Sequence, residues 1–353
     1  MRYKLFGRSG LRVSELCLGT AGFGLNRAPS GENATDNENE GRAQRIMQAF
    51  AEAGGNFLDT ADVYADGASE RIVGEFVRAD RDHFVISTKY TQSMGRDLMK
   101  SGNSRKNMRR SVEASLRRLG IECIDIYWLH AWDFTTPMDE ILRGLDDLVS
   151  AGKVNYIGAS NVEAWRVSSA NTLADLRGWA PFIGVQIAYS LMERTAERDL
   201  LPMAKEFDLG ITAYSPLGGG LLTGKYANAA SNAETGRWTG KDISERQRFI
   251  VEQVIAIAGE LACSPSHVAL AWLRQQTQFR NAVIPVIGAR STDQIAHNLQ
   301  CLSLELSKQH LQMLSEASAV DMGYLYDFLT ARGFTARDLS FGGQFDAVDN
   351  HRA

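Results

Sequence analysis

Short apolar runs alternate along the chain with longer stretches whose apolar positions recur every three or four residues. The short runs include Glu-Leu-Cys-Leu-Gly-Thr at 15–20, Asn-Phe-Leu-Asp-Thr at 56–60, Phe-Val-Ile-Ser-Thr at 84–88 and Ile-Asp-Ile-Tyr-Trp-Leu at 124–129. Others lie at 154–159, 183–187, 211–214 and 283–287. They are too short for helices and read as strands. The intervening stretches carry the helical period and predict helices over 41–53, 68–78, 104–119 and 137–151, with a helical pattern after each later strand. Nearly all-apolar strands alternating with helices imply a parallel sheet covered on its outer face. About eight such rounds close a (β/α)8 TIM barrel. The competing arrangement is an open doubly wound sheet with a Gly-rich fingerprint after its first strand. Here that position reads Ala21-Gly22-Phe23-Gly24-Leu25-Asn26, with no third glycine and no helix start, which favours the barrel.

Some segments fall outside the rhythm. Residues 1–14 read as a small hairpin turned by Arg8-Ser9-Gly10, placed to seal the barrel floor. Residues 22–40 read as a polar loop and 216–242 as a long loop rich in Gly, Asn and Ala. Loops of that length in a compact domain are usually functional or disordered. From about 321 the tail holds Tyr324, Tyr326, Phe328, Phe334, Phe341 and Phe345, which points to docking. The expected organisation is one barrel domain over 1–320 with a C-terminal extension, 321–353, packed on it.

Composition narrows the function. With 353 residues, 44% hydrophobic and 23% charged, the chain can bury a large core. A formal charge of −4 argues against nucleic acid or an anionic membrane as partner. Cys17, Cys123, Cys263 and Cys301 are far apart and form no C-x-x-C, so free thiols in a reducing compartment are expected. The N-terminus lacks an apolar signal core and no apolar run is long enough to span a bilayer, so a soluble cytoplasmic protein is expected.

Barrel enzymes carry their chemistry at the C-terminal ends of the strands. The second strand ends in Asp59, with Tyr64 in the loop beyond; the third runs into Lys89 and the fourth into His130. Singly, each has a plain structural reading: a cap or ion pair for Asp59 and Lys89, a loop aromatic for Tyr64, a hydrogen-bonded core histidine for His130. Together they form a set suited to polarising a carbonyl. A phenol is a weak acid at neutral pH, and a neighbouring ammonium lowers its pKa. A buried carboxylate keeps the ammonium charged and aimed. The phenol then donates a proton to a carbonyl oxygen as charge grows there, and the imidazole orients that oxygen. None of these groups supplies a hydride, so a cofactor must. No metal is expected: the six histidines are scattered, and the first strand ends Gly19-Thr20 where a metal-dependent hydrolase would want a His-x-His pair.

The stretch 215–226, Ser-Pro-Leu-Gly-Gly-Gly-Leu-Leu-Thr-Gly-Lys-Tyr, nearly spells a P-loop from Gly219 to Lys225. Tyr226 stands where a Ser or Thr would meet magnesium. By itself it reads as a broken triphosphate site, a different phosphate cradle or a flexible loop.

Asp59-Thr-Ala-Asp-x-Tyr64, Ser69-Glu70, Gly74, Ser87-Thr88-Lys89 and Asp125-x-Tyr-x-Leu-His130 together resemble the aldo-keto reductase family. So do Gly152-Lys153-Val154-x-x-Ile157-Gly158-Ala159-Ser160-Asn161, Gln186, Ala213-Tyr214-Ser215-Pro216-Leu217-Gly218, and Ile284-Pro285-x-x-Gly288-Ala289-Arg290 with Gln294 and Asn298. The resemblance runs in order over about 1–318. It implies a barrel that reduces an aldehyde or ketone, or oxidises the alcohol, with NADPH/NADP, NADH being the alternative. It makes Tyr64 the general acid, Lys89 and Asp59 its tuners and His130 the orienting group. The near-P-loop becomes a pyrophosphate cradle that needs no magnesium. Ser160, Asn161 and Gln186 match positions that hold the nicotinamide carboxamide, and Tyr214 the aromatic under its ring. Ser215, Pro216, Leu217, Gly218, Gly220 and Lys225 match the pyrophosphate path, with Gly19, Thr20 and Asp59 on the cofactor side of the first two strands. Gly288, Arg290, Gln294 and Asn298 match the segment around the adenosine 2′-phosphate. Arg290 is the cation there, which favours NADPH; the family's Lys-Ser-Arg arrangement is absent, with Gln294 near the arginine's place. One branch of the family has glutamate for the histidine and reduces carbon–carbon double bonds; His130 keeps this chain with the carbonyl reducers. Trp132 is expected to wall the substrate pocket beside Tyr64 and His130, with Phe23, Tyr90, Trp238 and the tail aromatics as further candidates. The same resemblance also covers cofactor-binding regulatory or channel-associated subunits with little turnover.

Overall fold

A hairpin opens the chain: β1 (Tyr3–Leu5) and β2 (Arg12–Ser14) pair antiparallel, with Tyr3 opposite Ser14. The computed structural model describes residues 1–25, 35–93, 95–226, 242–276, 282–330 and 339–349. Among these, eight parallel strands follow the hairpin: β3 (Cys17–Gly19), β4 (Phe57–Asp59), β5 (Val85–Tyr90), β6 (Ile124–Leu129), β7 (Val154–Ser160), β8 (Phe182–Ala188), β9 (Gly210–Tyr214) and β10 (Val283–Ile287). They lie in sequence order and close into a barrel, β10 pairing with both β9 and β3. The eight-stranded reading of the apolar runs therefore holds, with shifts of a residue or two at the ends.

Alternation along each strand makes two cores. Val85, Ile126 and Trp128 point into the barrel, whereas Ile86, Tyr90, Tyr127 and Leu129 point out beneath the helices. The helices meet that outer face with one apolar stripe. In Met138–Ser150, Ile141, Leu142, Leu145 and Leu148 are buried, a helical spacing, while Asp139 and Glu140 complement the amino end of the helix dipole. Each such side chain contributes roughly 1.5–3 kcal/mol by leaving water.

The hairpin does seal the floor. Phe6 is fully buried, edge-on to Phe57 at 5.8 Å and to Trp128 at 6.2 Å between ring centroids. It lies over Gly184 and Gly210, where a Cβ would come within 2.5 and 2.7 Å of its ring. The lower barrel thus holds the rings of Phe6, Phe57 and Trp128.

Two expected loops are corrected. The first helix is Asp36–Glu52, so the segment read as a loop to residue 40 already contains its first turns. A capping box starts it: Thr35 accepts from the Glu38 amide, and the Glu38 carboxylate accepts from the Thr35 amide. The Thr-x-x-Glu signal was legible, but turns made only of polar residues hid it from a reading based on apolar period. The rest of that loop, 26–34, lies outside the described residues. Of the 216–242 loop, Gly218–Thr223 forms a 3₁₀ segment, and 227–241, including Trp238, lies outside the described residues.

Helices Glu245–Glu260 and Pro265–Arg274 lead into β10, and Thr292–Leu299 and Lys308–Ala317 follow it. In the tail, Tyr324–Thr330 is helical. The Tyr326 hydroxyl donates to the Arg198 carbonyl, and Arg198 Nε donates to the Asp321 carbonyl at 3.0 Å. Tyr324, Phe328 and Phe341 are exposed, and Phe334 lies outside the described residues. All four cysteines are free. Among the described residues no single helix is long and apolar enough to cross a membrane.

Candidate active site

Asp59 closes β4 opposite Ser87, and Lys89 stands two residues further along β5 on the same inward face. Its ammonium is fully buried and meets Asp59 Oδ2 at 2.5 Å and the Thr60 carbonyl at 2.7 Å. The other Asp59 oxygen accepts from Ser87 Oγ at 2.6 Å and from Gln186 Nε2 at 3.0 Å. A carboxylate held by three side chains cannot swing away, so the lysine has one direction left to point. That direction is Tyr64, whose hydroxyl lies 3.5 Å from Nζ. His130, just past β6, meets the Tyr64 ring edge-on at 6.1 Å between centroids. The four residues expected at one mouth are thus together.

Their charge states follow from burial. Burial by itself would lower the Lys89 pKa, but Asp59 and then Tyr64 override it and hold the ammonium above the ordinary lysine value. Burial raises the Tyr64 pKa above its ordinary value; Lys89 pulls the other way, and Asp59 adds to the rise. The expectation that Lys89 leaves the phenol more acidic than usual is therefore corrected. The ammonium is largely neutralised by Asp59 and sits a full 3.5 Å from the phenol, too little to offset desolvation. Tyr64 is a neutral, proton-bearing group at rest. Burial, helped by the Lys89 charge, drives His130 down to about 3, so it is a neutral imidazole. Its Nδ1 is buried with no hydrogen-bond partner among the described residues.

Tyr64 is followed by Ala65 and Asp66, both left-handed at φ 47° and 52°, and by Gly67 at φ 82°. Each left-handed non-glycine residue costs about 1–2 kcal/mol. That strain lies directly beside the Tyr64 phenol.

The rest of the rim carries the residues expected to hold a nucleotide. Asn161 is exposed at φ 52°; its amide donates to the His130 carbonyl at 2.9 Å and to Ser160 Oγ at 3.1 Å, and its Oδ1 accepts from Tyr214 Oη at 2.9 Å. Ser215 is exposed and left-handed, Pro216 is buried, and Leu217 to Gly220 are half-buried. Gly218 donates back to Ser215 and Gly220 to Leu217, so the turn folds on itself. Lys225 is exposed above the Tyr226 ring, 4.8 Å from its centroid. Gly288 and Arg290 are exposed; the Arg290 amide donates to Gln294 Oε1 at 2.7 Å, and Asn298 donates to the Gly288 carbonyl at 3.3 Å. Thr20 is fully buried, its hydroxyl donating to the Asp59 carbonyl at 3.0 Å and accepting from Ser69 at 2.7 Å, which makes it a strut under Asp59. Gly19 keeps that strand close to β10, since a Cβ there would stand 2.8 Å from Val286. Trp132 is half-buried beside this rim, its amide donating to the Asn161 carbonyl at 3.3 Å, with the Arg166 guanidinium 4.1 Å from its ring. Phe23 and Tyr90 are buried, Tyr90 stacked on Tyr127 at 5.1 Å, so both are packing residues.

A family model described as Aldo/keto reductase family matches residues 15–319. The chain belongs to the aldo/keto reductase family. It is 35% identical over 334 residues to norsolorinic acid reductase of Aspergillus flavus, covering 92% of this chain and 83% of that one. It is 37% identical over 330 residues to the uncharacterized oxidoreductase YrpG of Bacillus subtilis, covering 90% and 95%. With an aryl-alcohol dehydrogenase [NADP(+)] of Phanerodontia chrysosporium it shares 33% over 335 residues, covering 90% and 86%. Membership makes it an oxidoreductase of a family that works on carbonyls with nicotinamide cofactors.

Sequence reasoning about this aldo/keto reductase missed several supports. Ser87 braces Asp59; its signal was its parity with Lys89, two residues along the same strand face. Glu70 and Arg118 form an ion pair behind the rim, and Asp62 is half-buried near them, its Oδ1 shielded from solvent. Burial, reinforced by the Glu70 charge and opposed by Arg118 and Arg110, pushes Asp62 up to about 7.

Proposed function

We propose that the chain is an NADP(H)-dependent reductase of aldehydes or ketones, with Tyr64 as the general acid. The observation that carries this is the buried Lys89–Asp59 pair, 2.5 Å apart, pointing at a phenol that remains protonated. A reduced nicotinamide, when bound, would supply the hydride to the carbonyl carbon. Tyr64 gives its proton to the carbonyl oxygen, and Lys89 stabilises the phenolate left behind until solvent returns the proton. His130, neutral, offers a ring N–H to the same oxygen without bringing a charge. Oxidation of an alcohol runs through the same groups, with the tyrosinate as base.

The residues on the rest of the rim fit such a cofactor. Asn161, whose Oδ1 now accepts from Tyr214, and Gln186, whose Nε2 now donates to Asp59, would exchange part of these bonds for a carboxamide, Tyr214 offers a flat ring, and the 215–220 turn brings backbone close for a pyrophosphate. The Arg290 guanidinium, exposed and unpaired among the described residues, supports the 2′-phosphorylated form, as does the NADP(+) in the name of one relative. Trp132 would wall the substrate side. Of the expected extension, residues 321–330 would lie on the barrel, anchored at Arg198 through Asp321 and Tyr326, whereas 331–338 and 350–353 lie outside the described residues.

The test mixes the protein with NADPH and a panel of aliphatic and aromatic aldehydes and ketones and follows the reduced-nicotinamide absorbance. Aromatic members belong in the panel because relatives are named for norsolorinic acid and aryl alcohol. Turnover of at least one member is expected. Tight NADPH binding with no turnover of any member would replace this reading with that of a cofactor-holding regulatory subunit.

A further inference from the structure

Behind the tetrad, outside the barrel wall, lie charges that the reduction does not use. Glu70, in the first turn of helix Ala68–Val77, is completely buried. Its carboxylate accepts from Thr88 Oγ1 at 2.6 Å and from Arg118 Nε at 2.5 Å. Arg118, in the last turn of helix Arg105–Leu119, also donates to Ser115 at 3.4 Å. Burying an ion pair is seldom worth more to stability than a well-packed apolar pair, so the pair asks for a second role.

Its two ends touch two catalytic elements. Thr88 directly precedes Lys89, so Glu70 grips the strand that aims the ammonium. Gly67 comes three residues after Tyr64 and packs against the Arg118 stem: a Cβ there would stand 2.5 Å from Cδ and 2.7 Å from Nε. Between them the chain runs through left-handed Ala65 and Asp66. Strained backbone of this kind persists only where its surroundings hold it. Asp62, two residues before Tyr64, adds a buried Oδ1 with no hydrogen-bond partner among the described residues. The turn's own ties are backbone bonds, from the Tyr64 amide to the Ala61 carbonyl at 3.2 Å and from the Asp66 amide to the Val63 carbonyl at 3.4 Å, and the Asp62 amide makes one direct bond to the Lys89 carbonyl at 3.2 Å, so Arg118 and Glu70 add the side-chain part of the link.

We propose that Arg118 and Glu70 are positioning residues: together they clamp the Tyr64 turn to the Lys89 strand and so set the phenol–ammonium spacing. The inference rests on Tyr64 being the acid, and it deepens that reading.

Full-length Arg118→Met, Arg118→Lys, Glu70→Gln and Gly67→Ala would be compared with wild type and with Arg117→Met, an exposed neighbour, as control. Two readouts are used: turnover of NADPH with 4-nitrobenzaldehyde, and amide hydrogen exchange of the apo protein. Arg118→Met is expected to speed exchange in residues 61–67 about tenfold while the barrel strands stay protected. It is expected to lower kcat 10- to 100-fold with KM for the aldehyde and Kd for NADPH within twofold. Arg118→Lys should recover part of both losses, and Glu70→Gln should give a smaller loss of the same kind. Gly67→Ala should cost less in the Arg118→Met background than in wild type, because the side chain it strikes is gone. The clamp is overturned by unchanged exchange over 61–67. It is equally overturned by faster exchange with wild-type kcat, or by kcat losses matched by loss of NADPH affinity. If Arg118→Met does not fold, Glu70→Gln and Gly67→Ala carry the same comparison. If wild type turns over no carbonyl, the proposed reaction fails, and the exchange result alone decides whether the clamp exists.

Discussion

Around β4, β5 and β6 the rim of the barrel is built from side chains that hold one another. Asp59 is fixed by Lys89, Ser87 and Gln186, Lys89 by Asp59 and Thr60, and the Tyr64 turn abuts Arg118. Around β9 and β10 the rim offers backbone and exposed ends instead: a self-folded glycine turn at 218–220, exposed Lys225, and Arg290, whose guanidinium is unpaired among the described residues. On the proposed reading the two halves meet different demands. Charge that develops during a reaction is stabilised best by groups already oriented and shielded from water, because nothing then has to reorganise. A phosphate chain needs N–H groups and cations that can close around it, and it brings its own charge to the contact.

The comparison can be broken most forcefully at Tyr64. Tyr64→Phe should lower kcat roughly 10³-fold, the middle of the range for loss of a general acid, while Kd for NADPH stays within twofold. Turnover near wild type would detach the prebuilt half from the chemistry. Lys89→Met strikes the same half through stability. It leaves Asp59 buried without its partner and should cost about 3–5 kcal/mol in denaturant unfolding, along with most activity; an unchanged midpoint would mean that water reaches Asp59.

Next comes Asp62, whose carboxyl is raised to about 7 by burial and by Glu70. Its folded pKa lies above its unfolded value, so the stability linked to its proton is complete at low pH and is lost as pH rises through 7. Asp62→Asn should therefore raise stability at pH 8 by up to about 2–4 kcal/mol and leave it nearly unchanged at pH 4, read from melting temperatures across pH. The reductive rate should show no acid limb from His130 above pH 5, since its pKa is already down near 3, and should fall only at alkaline pH as Tyr64, raised above its ordinary value, loses its proton. An inflection near pH 6.5 would show a protonated His130 in the working enzyme. The smallest effect belongs to the nucleotide half: Arg290→Gln should raise KM for NADPH about tenfold, the loss of one charge-assisted contact, and leave KM for NADH alone. Equal effects on both would remove Arg290 from the 2′-phosphate.

Much of this was legible in the chain. Eight apolar runs at regular spacing predicted the barrel, and residues at or just past the ends of three successive runs predicted the tetrad. The rule that barrel sites lie at those ends does not depend on how the helices pack. The start of the first helix was misread because its opening turns, Asp36 to Glu40, hold no apolar residue to carry a period. The pKa of Tyr64 was misjudged in sign because a neighbouring ammonium can be named from sequence, but its distance and its neutralisation by Asp59 cannot.

What the sequence determined alone is therefore periodic or local: strand count, parity, the residues at each strand end and the cap at Thr35. Periodicity places a side chain on a face whatever lies opposite. What the tertiary structure decided is pairwise and distant along the chain: Gln186 on Asp59, Phe6 over Gly184, Arg118 against Gly67, and how far burial moves each proton. Those depend on separations of a few ångströms between residues tens of positions apart, and electrostatic and packing energies change steeply over that range.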